Sequence, residues 1–113
     1  MAIVLPLETE VLNELRLELL KFLSDHSGLS VPAAVSFTKM DDGDMGSFEA
    51  VGVGHSLTTK ARLISDFAYT DVDGMGVLVS AFSDGHVISA VDFWRYDFGP
   101  ILSFPEAKDL EAR

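Results

Sequence analysis

The spacing of apolar residues changes once along this chain of 113 residues. Between residues 7 and 25, apolar side chains recur every three or four positions, which places them on one face of a helix. From Ala33 onward they recur every second position, as in a strand with one apolar face. A single helix followed only by strands predicts an α+β domain, because the helix and the sheet bury their apolar faces against each other.

The helical segment also has the charges and the ending of a helix. Glu8, Glu10 and Glu14 come early, where the helix dipole favours anions, and Lys21 comes late, where it favours a cation. Gly28 supplies a stop at the C-terminal end. We therefore expect a helix whose broad apolar stripe packs on a sheet.

Five segments with period two follow, and turn residues separate them. Their ranges are 33–39, 47–54, 61–70, 75–83 and 86–96. Short gaps enforce antiparallel neighbours, because a parallel crossover needs about a dozen residues or more. Asp84-Gly85 is among the strongest two-residue hairpin signals. The pattern predicts an N-terminal helix packed on a five-stranded antiparallel β-meander, in a single domain over 1–113, with 104–113 as a polar tail.

The charge balance limits the classes of partner. Eighteen acids against eight bases give a formal net charge of −10. Binding of nucleic acid needs Lys and Arg to neutralise phosphate, so we expect no nucleic-acid partner. Two interpretations of the excess stay open. Negative charge keeps a protein soluble, and it also accelerates association with a basic protein partner.

The chain has no cysteine, which excludes a disulfide scaffold, a thiolate metal site and a cysteine nucleophile. Its start lacks the basic flank of a signal peptide. Its longest apolar runs fall far below the roughly 20 residues of a membrane helix. We therefore expect a soluble, cytoplasmic protein that does not bind a membrane.

Two clusters of Asp and Gly, MDDGDMGS at 40–47 and TDVDGMGV at 70–77, raise the question of a calcium loop. Aligning Gly74 with the invariant glycine of an EF-hand puts Tyr69 and Ser80 at the first and last ligand positions. Neither provides the carboxylate that those positions need, and aligning Gly43 in the first cluster puts Met40 at the third position, which also fails. Asp and Gly are also the residues that turns prefer. We interpret both clusters as turns, with an irregular, weak calcium site as the alternative.

The histidines, His26, His55 and His86, provide little catalytic signal. Ser83, Asp84 and His86 lie close together, but on a predicted hairpin tip. A catalytic triad needs a shielded pocket with an oxyanion site, which a hairpin tip does not supply. We expect no catalytic residue, no metal site and no cofactor.

The stretch VDFWRYDFGP, residues 91–100, has the composition of an interface. If Val91 and Phe93 face the core, the aromatic residues at 94, 96 and 98 face the other side, unless the chain termini cover them. Trp, Tyr and Arg are enriched at binding hot spots. Our candidate partner-binding residues in this stretch are Asp92, Trp94, Arg95, Tyr96 and Asp97. The turn acids that we expect to add steering charge are Asp41, Asp42, Asp44, Asp71 and Asp73.

Three segments, 40–47, 66–77 and 90–105, resemble a family of small, uncharacterised bacterial proteins. The family pattern has an Asp-Gly-x-Met-Gly-Ser turn, an Asp-x-Asp-Gly turn, and a closing Asp-x-Trp-basic-x-Asp-Phe-x-Pro. The matching residues are Asp42, Met45, Gly46, Ser47, Asp71, Asp73, Gly74, Asp92, Trp94, Arg95, Asp97, Phe98 and Pro100. The chain departs from the pattern at Asp44, where glycine is expected, and at Gly99, where serine is expected.

The resemblance implies a function without catalysis, because the family carries no assigned enzymatic activity. In size and acidity the chain also resembles the immunity proteins encoded beside bacterial polymorphic toxins, including contact-dependent inhibition systems. Such a protein binds a toxin domain, often a basic nuclease, and blocks its active site. The alternative is a housekeeping domain with a structural role or a small ligand, such as weakly bound calcium.

Overall fold

The computed structural model describes residues 2–32, 34–52 and 61–113. The predicted connection between the second and third strands, 54–60, and with it His55, lies outside these ranges. The elements in chain order are β1 (Ile3–Val4), α1 (Thr9–His26), β2 (Val35–Lys39), β3 (Phe48–Gly52), β4 (Arg62–Thr70), β5 (Gly76–Ser83), β6 (Ile88–Arg95), β7 (Ser103–Phe104), a 3₁₀ turn (Ala107–Asp109) and β8 (Glu111–Ala112).

The predicted helix is confirmed. It begins at Thr9 and ends at His26, and Gly28 follows in the left-handed conformation with φ 71°. Leu20 and Leu23 are almost completely buried, so the apolar stripe packs into the core as its spacing indicates. Among the described residues, no helix is both long and apolar enough to cross a membrane.

The α+β class is confirmed, but the five-stranded meander is not. The main sheet has six antiparallel strands in the order β2-β3-β6-β5-β4-β8. β3 pairs with β6 instead of β4, with Phe48 opposite Val91. A short turn determines which two strands form each hairpin. Which hairpins then pair with each other depends on packing between residues that are far apart in the sequence. Phe48 and Phe93, with ring centroids 6.4 Å apart, are part of that packing.

The segment expected to form a polar tail, 104–113, forms part of the fold. Phe104 pairs with Ile3 in a second, two-stranded sheet, and both Phe104 and Pro105 are buried. Glu111–Ala112 pairs with β4 and forms the sixth strand of the main sheet. A strand of two residues is too short to show a period, so the sequence pattern does not reveal it.

The two faces of the main sheet differ because side chains alternate along each strand. One face carries buried residues such as Phe67, Val79 and Phe93, on which α1 packs. On the other face, Ser80 lies opposite Asp66 on β4 and opposite Asp92 on β6. Trp94 lies on this second face, opposite Leu78, whereas Arg95, two residues after Phe93, lies on the first face, opposite Val77.

Candidate functional site

Arg95, at the end of β6, is 5% exposed and binds three carboxylates. Its Nη1 donates to Asp71 Oδ2 at 2.7 Å and to Asp73 Oδ1 at 3.0 Å. Its Nε and Nη2 donate to the two oxygens of Asp97 at 2.8 and 3.1 Å, and Nη2 also donates to Asp73 Oδ2. All five N–H donors of the guanidinium are therefore used. We call these four residues the Arg95 cluster.

Asp71 is the buried carboxylate of the cluster, with 2% of the residue exposed. Its Oδ1 accepts hydrogen bonds from Ser103 Oγ at 2.6 Å and from the Val72 N–H at 2.9 Å. Its Oδ2 accepts the Leu102 N–H at 2.8 Å in addition to Arg95. Burial by itself raises the pKa of Asp71, but the hydrogen bonds to the carboxylate outweigh burial and hold the pKa below its usual value. Asp71 thus connects the turn after β4 to β6 and β7.

Asp73 and Asp97 lie at the surface of the cluster, with side chains 39% and 41% exposed. The hydrogen bonds from Arg95 lower the pKa of both, and that of Asp97 falls to about 2. The hydrogen bonds that Arg95 donates to the carboxylates of Asp97 and Asp73 raise the pKa of Arg95 in turn. Because three carboxylates surround one guanidinium, the cluster keeps a net negative charge.

The turn MDDGDMGS, 40–47, is closed by its own side chains. Asp42 accepts the Met45 N–H at 3.2 Å and the Ser47 N–H at 2.9 Å. Ser47 Oγ donates to Asp92 Oδ1 at 2.7 Å and accepts the Phe93 N–H at 2.8 Å. Asp42 therefore closes the turn, and Asp92 holds it against β6 through Ser47. Within the described residues, no group of three or more His, Cys, Asp or Glu side chains is placed to hold a metal ion.

Three positions in this turn, Gly43, Asp44 and Gly46, have left-handed backbone. Asp44 has φ 64°, which non-glycine residues rarely adopt, and this explains why the family pattern has glycine there. Its exposed carboxylate forms an ion pair with Lys39, which raises the pKa of the lysine. Gly46 has φ 103°, and a Cβ atom there would lie 2.6 Å from Ile101 Cδ1. Only glycine fits at position 46.

Asp41, the remaining turn acid among the candidates, is exposed. The predicted hairpin around Ser83 uses its hydroxyl within the turn. Ser83 Oγ donates to the Val87 carbonyl at 2.8 Å and accepts the Gly85 N–H at 2.9 Å. His86 is exposed at the hairpin tip, and its N–H donates to Asp84 Oδ1. These side chains stabilise the turn.

Three exposed aromatic side chains lie beside the Arg95 cluster. Trp94, Tyr96 and Phe98, which we call the aromatic ridge, are 42%, 47% and 67% exposed. The rings of Trp94 and Phe98 meet edge to face, with centroids 5.0 Å apart. Tyr96 packs over Gly76, where an added Cβ atom would lie 2.7 Å from its ring, and its hydroxyl accepts from Arg113 Nη1 at 2.8 Å. Neighbouring groups thus hold the ridge in position.

The backbone of Phe98 is strained. Its φ of 63° is left-handed, which costs a non-glycine residue about 1–2 kcal/mol. The ring is the most exposed of the three, so burial in the core does not offset the strain. Strain of this kind at an exposed position is typical of functional sites. The ridge is accordingly the surface feature of this structure that most requires a functional explanation.

The structure divides the sequence-predicted site residues into three groups. Trp94, Tyr96, Asp73 and Asp97 are exposed, and so are Asp41 and Asp44 of the first turn. Asp42 and Asp92 are half-buried and accept hydrogen bonds within the protein. Arg95 and Asp71 are buried and bind each other, so in this structure they position neighbouring groups and do not meet a partner. The sequence contains a signal for this pairing. Arg95 is the only Lys or Arg between Arg62 and Lys108, in a segment rich in acids.

The comparisons with known proteins identify the family. The model of a family described as a domain of unknown function, DUF6984, matches residues 9–105. The chain belongs to this family. The match includes the whole Arg95 cluster and the aromatic ridge, and it confirms the expected membership of an uncharacterised family. No curated protein and no solved structure matches the chain.

Proposed function

We propose that this DUF6984 protein is a non-enzymatic immunity protein, which binds a basic, nuclease-like toxin domain in the cytoplasm and covers its active site. The observation that carries the proposal is the aromatic ridge: three exposed rings, held in place, beside carboxylates. A strained Phe98 that keeps its ring in solvent fits a binding role.

The ridge provides anchors. Trp and Tyr are enriched among the residues that dominate binding energy, because they bury a large area in few rotamers. Tyr96 is already fixed by Gly76 and Arg113, and Trp94 by its contact with Phe98. Side chains that are ordered before binding lose less entropy on association.

The acids provide attraction and orientation. The formal charge of −10 creates a field that accelerates encounter with a basic protein. Asp73 and Asp97 add local charge next to the ridge, and Asp92 adds a half-buried carboxylate on the same face of the sheet. Asp41 and Asp44 extend the negative surface at the other turn.

The direct test is calorimetric titration with the basic toxin domain encoded beside this gene, together with an assay of that domain's nuclease activity. We expect a sub-micromolar Kd and loss of activity at equimolar protein. Trp94→Ala should weaken binding about tenfold or more, because it removes a central anchor. Val11→Ala is the matched control, since Val11 is equally exposed but lies on α1.

A second variant tests the meaning of the strain. Phe98→Gly removes the left-handed penalty, so it should leave folding unharmed or stabilise the protein while weakening toxin binding. Absence of binding to the toxin domain, or equal losses for Trp94→Ala and Val11→Ala, would refute the proposal. A calcium titration that releases heat in the wild type, and not in Asp73→Asn, would favour the housekeeping alternative instead.

A further inference from the structure

A second buried arginine lies in the middle of α1. Arg16 is 9% exposed, and its guanidinium carbon lies 5.4 Å from the centroid of the Phe48 ring. Its Nη1 donates to Asn13 Oδ1 at 2.9 Å. Within the described ranges, Arg16 forms no ion pair, and its buried Nε has no hydrogen-bond partner.

A buried cation without a carboxylate is unexpected in a chain with eighteen acids. Removing an ion from water costs several kcal/mol, and buried charges are normally paired or fully hydrogen-bonded. Burial lowers the pKa of Arg16, although a guanidinium keeps its charge at neutral pH. The cation–π contact with Phe48 compensates only part of this cost.

Arg16 lines a cavity of about 140 Å³ between the N-terminal segment, α1, the 40–47 turn and the start of β7. The apolar wall includes Leu12, Ile101 and Phe104. Lys39 and Asp44 also line the cavity and pair with each other. The charge of Arg16 is therefore left without compensation, and the cavity is locally positive in a protein that is otherwise strongly negative.

We infer that this cavity binds a small molecule that has a carboxylate head and an apolar body. The carboxylate would accept hydrogen bonds from the free donors of Arg16, and the body would lie against the apolar wall. A cavity of about 150 Å³ lined by apolar side chains holds one benzene molecule. The volume near Arg16 therefore fits a single ring or a chain of about six carbons. This site is separate from the aromatic ridge and does not depend on the proposed toxin partner.

The turn that carries Gly46 supplies part of the cavity wall. At this position the backbone approaches Ile101 so closely that a side chain would collide with it. The same turn provides Asp44, whose ion pair with Lys39 keeps that lysine from competing for the carboxylate. The 40–47 turn thus contributes both the shape and the charge balance of the site.

The test uses two probes, sodium benzoate and sodium hexanoate, with benzamide as the neutral analogue of the first. Binding to the full chain is measured by chemical-shift titration and by the rise in Tm. We expect saturable binding of at least one carboxylate, and at least tenfold weaker binding of benzamide. Arg16→Met, which keeps the length of the side chain without its charge, should abolish carboxylate binding. Arg62→Met is the control, because Arg62 is exposed at the start of β4.

Three results would overturn the inference. The first is absence of binding by both carboxylates. The second is equal affinity for benzoate and benzamide, and the third is unchanged affinity in Arg16→Met. Circular dichroism of Arg16→Met establishes that the variant is folded, and Arg16→Lys, which restores a cation, should recover part of the binding if the charge is responsible.

Discussion

The two buried arginines of this protein, Arg95 and Arg16, differ in how far their charges are compensated by neighbouring groups. Arg95 uses all five donors on three carboxylates, whereas Arg16 has one amide oxygen and the face of one ring. The first charge is fully compensated, so it connects β6 to two turns and stabilises the fold. The second is not compensated, so it costs stability and keeps donors available for an anion. Burial alone therefore does not distinguish a structural arginine from a binding one, whereas the set of partners does.

We expect the largest change in the free energy of unfolding when the ion pair between Arg95 and Asp71 is broken. Asp71→Ala removes the buried acceptor of one N–H of Arg95 Nη1 and the acceptor of Ser103 Oγ and of the Leu102 N–H. Removing one partner of a buried ion pair costs about 3–5 kcal/mol of unfolding free energy. Urea denaturation measures the loss. Asp41→Ala, at an exposed turn acid, should change stability by less than about 0.5 kcal/mol, and similar values for the two variants would contradict the comparison.

The second expected change in the free energy of unfolding is a gain instead of a loss. Arg16→Met replaces an uncompensated buried cation with an apolar side chain of similar length, so we expect stability to stay unchanged or rise by about 1–2 kcal/mol. The same urea experiment measures it, with Arg62→Met as the exposed control. A loss as large as that of Asp71→Ala would show that Arg16 has a structural role like that of Arg95.

A smaller effect tests the groups behind the Arg95 cluster. Tyr69 donates its buried O–H to the Ser103 carbonyl at 2.8 Å, and burial raises the pKa of the phenol. Tyr69→Phe removes this hydrogen bond and should cost about 1 kcal/mol. Thermal unfolding provides the measurement. Tyr96→Phe, which removes an exposed hydroxyl, should cost only a few tenths of a kcal/mol, so an equal loss in both variants would argue against a supporting role for Tyr69.

The smallest effect is a dependence on pH. Arg95 lowers the pKa of Asp97 to about 2 in the folded protein, against about 3.9 for an unperturbed aspartate. A lowered folded-state pKa contributes stability that is present above pH 4 and is lost as the pH falls toward 2. Asp97→Asn should therefore flatten the stability profile between pH 4 and pH 2, as measured by urea denaturation at several pH values. Asp41→Asn should leave the profile unchanged, and a flattening of the same size there would contradict the assignment.

The elements that depend on neighbours along the chain were predictable. The apolar period predicts α1 within two residues of its observed ends, and alternation with turn residues locates β2 to β6. The pairing of β3 with β6 and the short strand β8 were not predictable. Pairing between hairpins depends on which side chains are buried together, and two residues carry no period.

The candidate site was predictable only in part. The alternation around Val91 and Phe93 correctly predicts that Trp94 faces away from the core, whereas its exposure depends on whether the chain termini cover it. The turn signal at Asp71 indicates where the chain reverses. It does not indicate that β7 covers this carboxylate or that Arg95 reaches it. That the exposed acids attract a basic partner therefore stays a prediction. Asp71, in contrast, is buried and forms its hydrogen bonds within the protein.

The sequence by itself determined the α+β class, the helix, the hairpins and the excess of negative charge, because period, turn chemistry and charge are properties of neighbouring residues or of composition. Only the tertiary structure decided which acids compensate Arg95, which aromatic rings remain exposed, and that Arg16 is buried without a carboxylate. These features bring together residues that lie from 2 positions apart, as Arg95 and Asp97, to 88 positions apart, as Arg16 and Phe104. Their energies depend on burial and distance, which exist only once the sheet and the helix have packed.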